Sequence, residues 1–303
     1  MATGTERTRP GQEALRGIST LGAIWIFLKR DLKLWTYFKI NFALELTGIF
    51  SNLAIYSVIA SFRPTGPFLA PYGGDYVSFV ILGLAINEVL TTSLSSPYRS
   101  VMNSFWSNRL EILMMAPINL QTFILGTSAG NYFRSFFRIL VYIVFGVMIF
   151  GFTLGSADYA TAAIFLLLGI ASCLGLGMLG ASMIYFVDAR GGQDPVRWVI
   201  GLVSGLVAGV YFPVQVLPTW LRWIGCGIPH TYVLDGARRA LLSTHRATSA
   251  GVLPIHSLFS LNPIHTDIVI LAIYSAIALP LGYLALKRGV ALAKKDGRLS
   301  RWI

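Results

Sequence analysis

Two carboxylates, Glu45 and Glu88, sit inside long apolar stretches of this chain. An ionised carboxylate is costly in hydrocarbon, so each must face protein or water. Each can serve as a substrate contact, a titrating group or an interhelical hydrogen-bonding partner. Asn41 and Asn52 accompany Glu45, and Asn87, Thr91 and Thr92 accompany Glu88. The four histidines, His230, His245, His256 and His265, fall between the last two apolar runs. Their spacings match no usual ligand pattern and no close carboxylate or cysteine pair accompanies them, so no metal site is expected. No Gly-x-x-x-x-Gly-Lys-Ser/Thr occurs and no lysine follows a glycine, which removes the phosphate cradle of a nucleotide hydrolase. There is no paired-Asp prenyl-transfer motif, no His-Glu-x-x-His, and no histidine within a span to activate a membrane serine. No catalytic residue is assigned. An enzyme reading survives only if the histidine-bearing segment acts on lipid headgroups.

The elements that hold these residues are apolar. Of 303 residues, 55% are hydrophobic and 12% charged, against roughly 25% charged in soluble domains. The chain reads as an all-α integral membrane protein. The net charge of +11 sits at span ends and in the tails, which argues for orientation signals and anionic-lipid contacts and against nucleic acid. Cys173 lies in an apolar run, so no disulfide with Cys226 is expected. No secretory signal is evident: the first apolar run follows about twenty polar residues and is too long for a signal core.

Residues 1–17 are polar and read as a disordered cytoplasmic tail. Residues 18–38 read as an amphipathic interfacial helix, with Leu21, Ile24, Trp25, Leu28, Leu32 and Trp35 near one face and Lys29, Arg30 and Lys33 on the other. An extension of the first span is the alternative. The transmembrane domain then covers residues 39–286, with six spans expected: 40–62, 76–96, a third ending near 154, 160–187, 198–212 and 268–286. Arg134 and Arg138 precede the cleanest part of the third run, 139–152, and would have to snorkel. Residues 188–197 read as a polar turn, and 287–303 as a basic cytoplasmic tail. Lys and Arg concentrate on the side of the N-terminus, leaving Arg63, Arg222, Arg238, Arg239 and Arg246 on the other, so both termini are expected in the cytoplasm.

Two stretches interrupt the spans. Residues 107–117 form a short amphipathic segment with Leu110, Leu113 and Met114 at helical spacing, broken by Arg109 and Glu111 and ended by Pro117. It reads as a docking surface or as an ordinary loop. Residues 211–242 are too apolar for a free loop and too broken by Pro213, Pro218 and Pro229 for one span. They read as a short re-entrant helical pair before the last span, shielded by protein, or as a kinked span with an amphipathic tail.

Both stretches resemble ABC-2 type transporter permeases. Glu111, Leu113 and Pro117 match the coupling-helix pattern of that family, with Asn108 and Arg109 in place of its Gly-Thr. Phe212-Pro213, Leu217-Pro218-Thr219-Trp220-Leu221, Pro229 and Ala237-Arg238-Arg239 match its re-entrant pattern, with Ile228 in place of Asn. Tyr72-Gly73-Gly74-Asp75-Tyr76 resembles one bacterial and archaeal branch. The matches extend over nearly the whole chain, and their order and spacing carry the resemblance.

The resemblance implies the membrane subunit of an ABC exporter in the cell membrane. ATP and Mg would be bound by a separate ATP-binding subunit, docked through Arg109, Glu111, Leu113, Met114 and Pro117, with no cofactor in this chain. Other expected partners are membrane lipid and a second copy or related permease. The family's path lies along spans two and five, which makes Asn87, Glu88, Thr91, Thr92, Val203, Leu206 and Phe212 the path candidates. Gly201, Gly205 and Gly209, spaced four apart, are candidates for close helix packing or a dimer interface. A mostly apolar interior implies a hydrophobic or amphipathic cargo: a drug, lipid or lipid-linked glycan. The alternative is a six-span transporter or channel driven by an ion gradient, with Glu88 or Glu45 titrating.

Overall fold

The computed structural model describes residues 20–37, 39–61, 67–106, 120–152, 158–186, 194–242, 251–259 and 262–295. Among them there is no strand. The helices are α1 (Thr20–Tyr37), α2 (Lys39–Ser61), α3 (Tyr76–Trp106), α4 (Leu120–Phe150), α5 (Tyr159–Phe186), α6 (Pro195–Val207), α7 (Thr219–Gly225), α8 (Pro229–Leu242) and α9 (Pro263–Lys295). Short 3-10 turns lie at Pro67–Tyr72, Val214–Val216 and Pro254–Ser257. Five helices, α2, α3, α4, α5 and α9, are long and apolar enough to cross a membrane. The chain is an all-helical, multi-pass membrane protein.

The fifth run departs from expectation. Helix α6 has 13 residues, about 20 Å at 1.5 Å per residue, short of a hydrocarbon core of ~30 Å. It begins inside the stretch expected to be a turn, because Asp194 caps it: its carboxylate accepts from the Arg197 N–H at 3.0 Å, and Pro195 takes the first helical position. It ends five residues before Phe212. Gly209 adopts φ +82°, a conformation that breaks a helix and that glycine tolerates, and Pro213 then offers no N–H. The third run also differs. Its helix, α4, starts at Leu120, so Arg134 and Arg138 lie well inside it.

The bundle is centred on α5, which packs against α3 on one side and α9 on the other. The α5–α9 contact is close because Gly175 and Gly282 face each other: a Cβ on either would overlap backbone atoms of the other helix. Gly177 admits the Leu94 carbonyl of α3 in the same way. The expected glycine stripe behaves otherwise. A Cβ on Gly201 or Gly205 would meet nothing within 4 Å, and Gly209 lies beyond the end of α6. Among the described residues, Gly175, Gly177 and Gly282 are the glycines that let the backbones of α3, α5 and α9 approach closely.

Helix α1 lies against α4. Gly126 receives the Phe27 ring, Gly130 receives Asp31, and Trp35 packs edge-on against Phe133 and Phe137. The contact face is therefore Phe27, Asp31 and Trp35. Trp25, expected on the apolar face, is 61% exposed, while Lys29 and Arg30 are exposed as expected.

Candidate functional site

A cavity of about 640 Å³ runs between α3 and α6. From α3 it is lined by Asn87, Thr91 and Leu94, one helical face at i, i+4 and i+7. From α6 and its cap come Asp194, Arg197, Trp198, Gly201, Leu202, Ser204 and Gly205. Val210, Tyr211 and His230 close the far end. Of the path candidates, Asn87 and Thr91 line it, together with Gly201 and Gly205. Asp194, Arg197, Trp198 and His230 are additions. The i, i+4 spacing of Asp194, Trp198 and Leu202 along one helical face was a usable signal for α6. Nothing local marks His230, which arrives from another helix and is buried beside Cys173, its Nδ1 3.9 Å from the thiol.

The other path candidates point elsewhere. Glu88 and Thr92 face α4. Arg138 donates to Glu88 at 2.5 Å and forms an ion pair with Glu45, so one guanidinium joins α2, α3 and α4. Thr92 donates to the Ser135 hydroxyl at 3.2 Å, and the Trp35 indole N–H donates to Glu45 at 3.3 Å. Arg134 donates to Asn131 at 2.7 Å, and Asn131 to Ser96 at 3.3 Å. Arg138 thus has carboxylates to compensate its charge, whereas among the described residues Arg134 bonds only neutral acceptors, the Asn131 amide oxygen and the Gly130 carbonyl. Leu206 is 57% exposed on the outer face of α6. Val203 and Phe212 are half-buried and do not line the cavity. Arg109, Glu111, Leu113, Met114 and Pro117 lie outside the described residues, as do residues 1–17 and 296–303.

Residues 211–242 fold as the short helices α7 and α8. Pro213 precedes the 3-10 turn, Pro218 caps α7 and Pro229 opens α8, so each proline marks a start that lacks a donor anyway. Trp220 is 65% exposed, whereas α8 is buried almost throughout. Arg238 and Arg239, read from sequence as lying on the outer side of the membrane, are among the most buried side chains described. Arg238 donates to the carbonyls of Gly209 and Val210, which the break after α6 leaves without helical partners. It lies 3.6 Å over the Phe79 ring and fills the notch at Gly83.

Arg239 donates to Asp235 at 2.9 Å, and Tyr72 donates to the same carboxylate through a short hydrogen bond. His256 Nε2 lies 2.9 Å from Asp267, and its Nδ1 accepts from the N–H groups of Val252 and Leu253. The proton is therefore on Nε2 and is donated to Asp267. Burial holds the His256 pKa below its ordinary value and keeps the ring neutral. Ligand atoms of Asp235, His256 and Asp267 come within 4.8 Å of one another. The expectation of no metal site rested on the histidine spacings and on the lack of a carboxylate or cysteine pair close in sequence, and folding brings two carboxylates to His256. Asp235 is already engaged by Tyr72 and Arg239, and His256 by Asp267, so the trio works here as a charge network. It joins the first 3-10 turn, α8, the last 3-10 turn and α9. The Asp158 N–H adds a bond to the Ala240 carbonyl at 2.8 Å, tying in the start of α5. These elements are thereby tied together at one end of the bundle, while the Asp194 end of the cavity carries Arg197 and Arg99. Comparison with protein-family models and with curated protein sequences finds no match to this chain.

Proposed function

We propose that this chain is the membrane subunit of an ATP-driven exporter of the ABC-2 permease type, moving a hydrophobic or amphipathic substrate along the α3–α6 cavity. The observation that carries the reading is the cavity itself. Its walls join Asn87 and Thr91 to Gly201 and Gly205, polar and small residues on the two helices that the resemblance assigns to the path. Helix α6 stops short, and α7 and α8 continue as the re-entrant pair, so that together they make the sixth crossing. The outer face of α6, with Val199 and Leu206 exposed, is where a second copy packs and closes the cavity's open side. ATP and Mg act in a separate subunit docked on residues 107–117, whose closure moves the bundle as a rigid body. The membrane is the cell membrane, with both termini in the cytoplasm.

The gradient-driven alternative needs Glu45 or Glu88 to take up and release a proton. Both are engaged by Arg138 and neither lines the α3–α6 cavity, which counts against that role. The deciding experiment is tagged purification of the chain from its native cells beside Glu111→Lys and Leu113→Asp. An ATP-binding subunit should accompany the wild type and be lost from both variants. Transport that needs a proton gradient and ignores ATP would replace this reading with the alternative.

A further inference from the structure

At its Asp194 end the large cavity meets a smaller one of about 140 Å³. Asp194 and Arg197 line both. Ser95, Arg99 and Asn103, at i, i+4 and i+8 on α3, complete the smaller cavity's polar wall. Two guanidinium groups thus share one small pocket with a hydroxyl and an amide. Among the described residues neither arginine forms an ion pair. Arg99 and Arg197 lie close enough to act electrostatically on each other and on Asp194. Paired guanidinium forks suit the oxygens of a phosphate.

Asp194 adds the opposite charge. One of its oxygens accepts from the Arg197 N–H, while Oδ2 has no hydrogen-bond partner in a residue only 7% exposed. A buried carboxylate oxygen without a donor is costly, and a ligand ammonium group would supply one. The neighbouring wall of the larger cavity is apolar, with Leu94, Trp198 and Leu202.

We propose that the joined cavities hold an amphiphile whose headgroup carries a phosphate next to a primary amine. The phosphate lies between Arg99 and Arg197, the ammonium on Asp194 Oδ2, and the acyl chains along Leu94, Trp198 and Leu202. This rests on the α3–α6 cavity being the substrate path, and it narrows the substrate class. A choline headgroup has the same formal charges but no N–H to donate, so Asp194 discriminates between the two. The apolar wall favours a lipid over a soluble phosphoamine.

The test is calorimetric titration of the purified full chain in a nonionic detergent. The probes are dihexanoyl phosphatidylethanolamine, dihexanoyl phosphatidylcholine and free phosphoethanolamine. No ATPase is needed, so failure here is separate from failure of the exporter reading, which co-purification decides. The ethanolamine lipid should bind about tenfold more tightly than the choline lipid, and free phosphoethanolamine far more weakly than either. Asp194→Asn keeps a helix-capping side chain and should bring the two lipids to equal affinity. Arg99→Gln, at an exposed position that folding tolerates, should weaken both lipids and leave their ratio intact. Equal affinities in the wild type, or a ratio that survives Asp194→Asn, would overturn the amine assignment. Unchanged binding in Arg99→Gln would overturn the phosphate assignment. Free phosphoethanolamine binding as tightly as the lipid would overturn the lipid source.

Discussion

Arg238 occupies the space that a side chain at residue 83 would need: a Cβ on Gly83 would overlap its guanidinium. The arginine reaches α3 there and holds the carbonyls left free where α6 ends. One residue of α8 thus ties the end of α6 to α3, the two walls of the cavity.

Gly83→Ala should therefore displace Arg238 and destabilise the fold by about 1–3 kcal/mol, as overpacking does. Arg238→Lys should not substitute for the native residue, because an ammonium cannot bridge both carbonyls while lying flat on Phe79. Thermal unfolding in detergent, followed by size-exclusion recovery, measures both. Full stability of Gly83→Ala would mean that the guanidinium does not depend on the notch.

The glycines separate into two groups with opposite expectations. Gly282→Ala should drive α9 away from α5 and lower the melting temperature, since its Cβ would overlap the Gly175 carbonyl. Gly201→Ala should be neutral or slightly stabilising, by up to about 1 kcal/mol from helix propensity, because its surroundings are open. The same thermal assay compares them.

The Arg138 cluster should be strongly coupled. Arg138→Met leaves Glu45 and Glu88 without their cation and should lower stability more than Arg138→Met combined with Glu45→Gln and Glu88→Gln. The interaction energy of such neighbours falls at ~0.5–3 kcal/mol in a mutant cycle. Additive effects would show that the three charges act separately.

His256 gives its end of the bundle a pH dependence. Its folded pKa is depressed by burial, so below the ordinary histidine value of about 6.5 the unfolded chain takes up a proton that the folded chain refuses. Its contribution is present above that value and is lost as pH falls toward the folded pKa. Val252 and Leu253 donate their N–H groups to the ring, so lowering pH from about 7 to about 5, across that ordinary value, should reduce their protection against amide exchange, taken relative to the unstructured-chain exchange rate at each pH. His256→Gln, which has no titrating ring, should remove that dependence. A wild-type exchange pattern that parallels the variant at every pH would contradict it.

The long elements were legible because a membrane span is a local property of about twenty apolar residues. The broken stretch after α6 was legible because Pro213, Pro218 and Pro229 punctuate wherever they stand. Pairing was not. Arg138 meets Glu45 and Glu88 from helices far apart in the chain, and His256 meets Asp267 and Asp235 only after α8 and α9 converge. A glycine stripe reads the same whether it faces a neighbour or open space: within the chain Gly175 and Gly282 pack helices together, while Gly201 and Gly205 line the cavity. On α3 the alternation was informative. Asn87 and Thr91 share the cavity face, and Glu88 and Thr92, one residue on, turn toward α4.

The central claim is that substrate moves along the cavity between α3 and α6. It is tested most directly by thiol labelling in membranes, in a chain carrying Cys173→Ser and Cys226→Ser. Thr91→Cys and Gly205→Cys should react with a water-soluble, impermeant reagent applied from the Asp194 side. That reaction should slow when ATP is trapped in the partner subunit, and Leu206→Cys, on the outer face of α6, should stay unreactive throughout. Inert Thr91→Cys and Gly205→Cys beside a Leu206→Cys that reacts in every state would place the path outside this cavity.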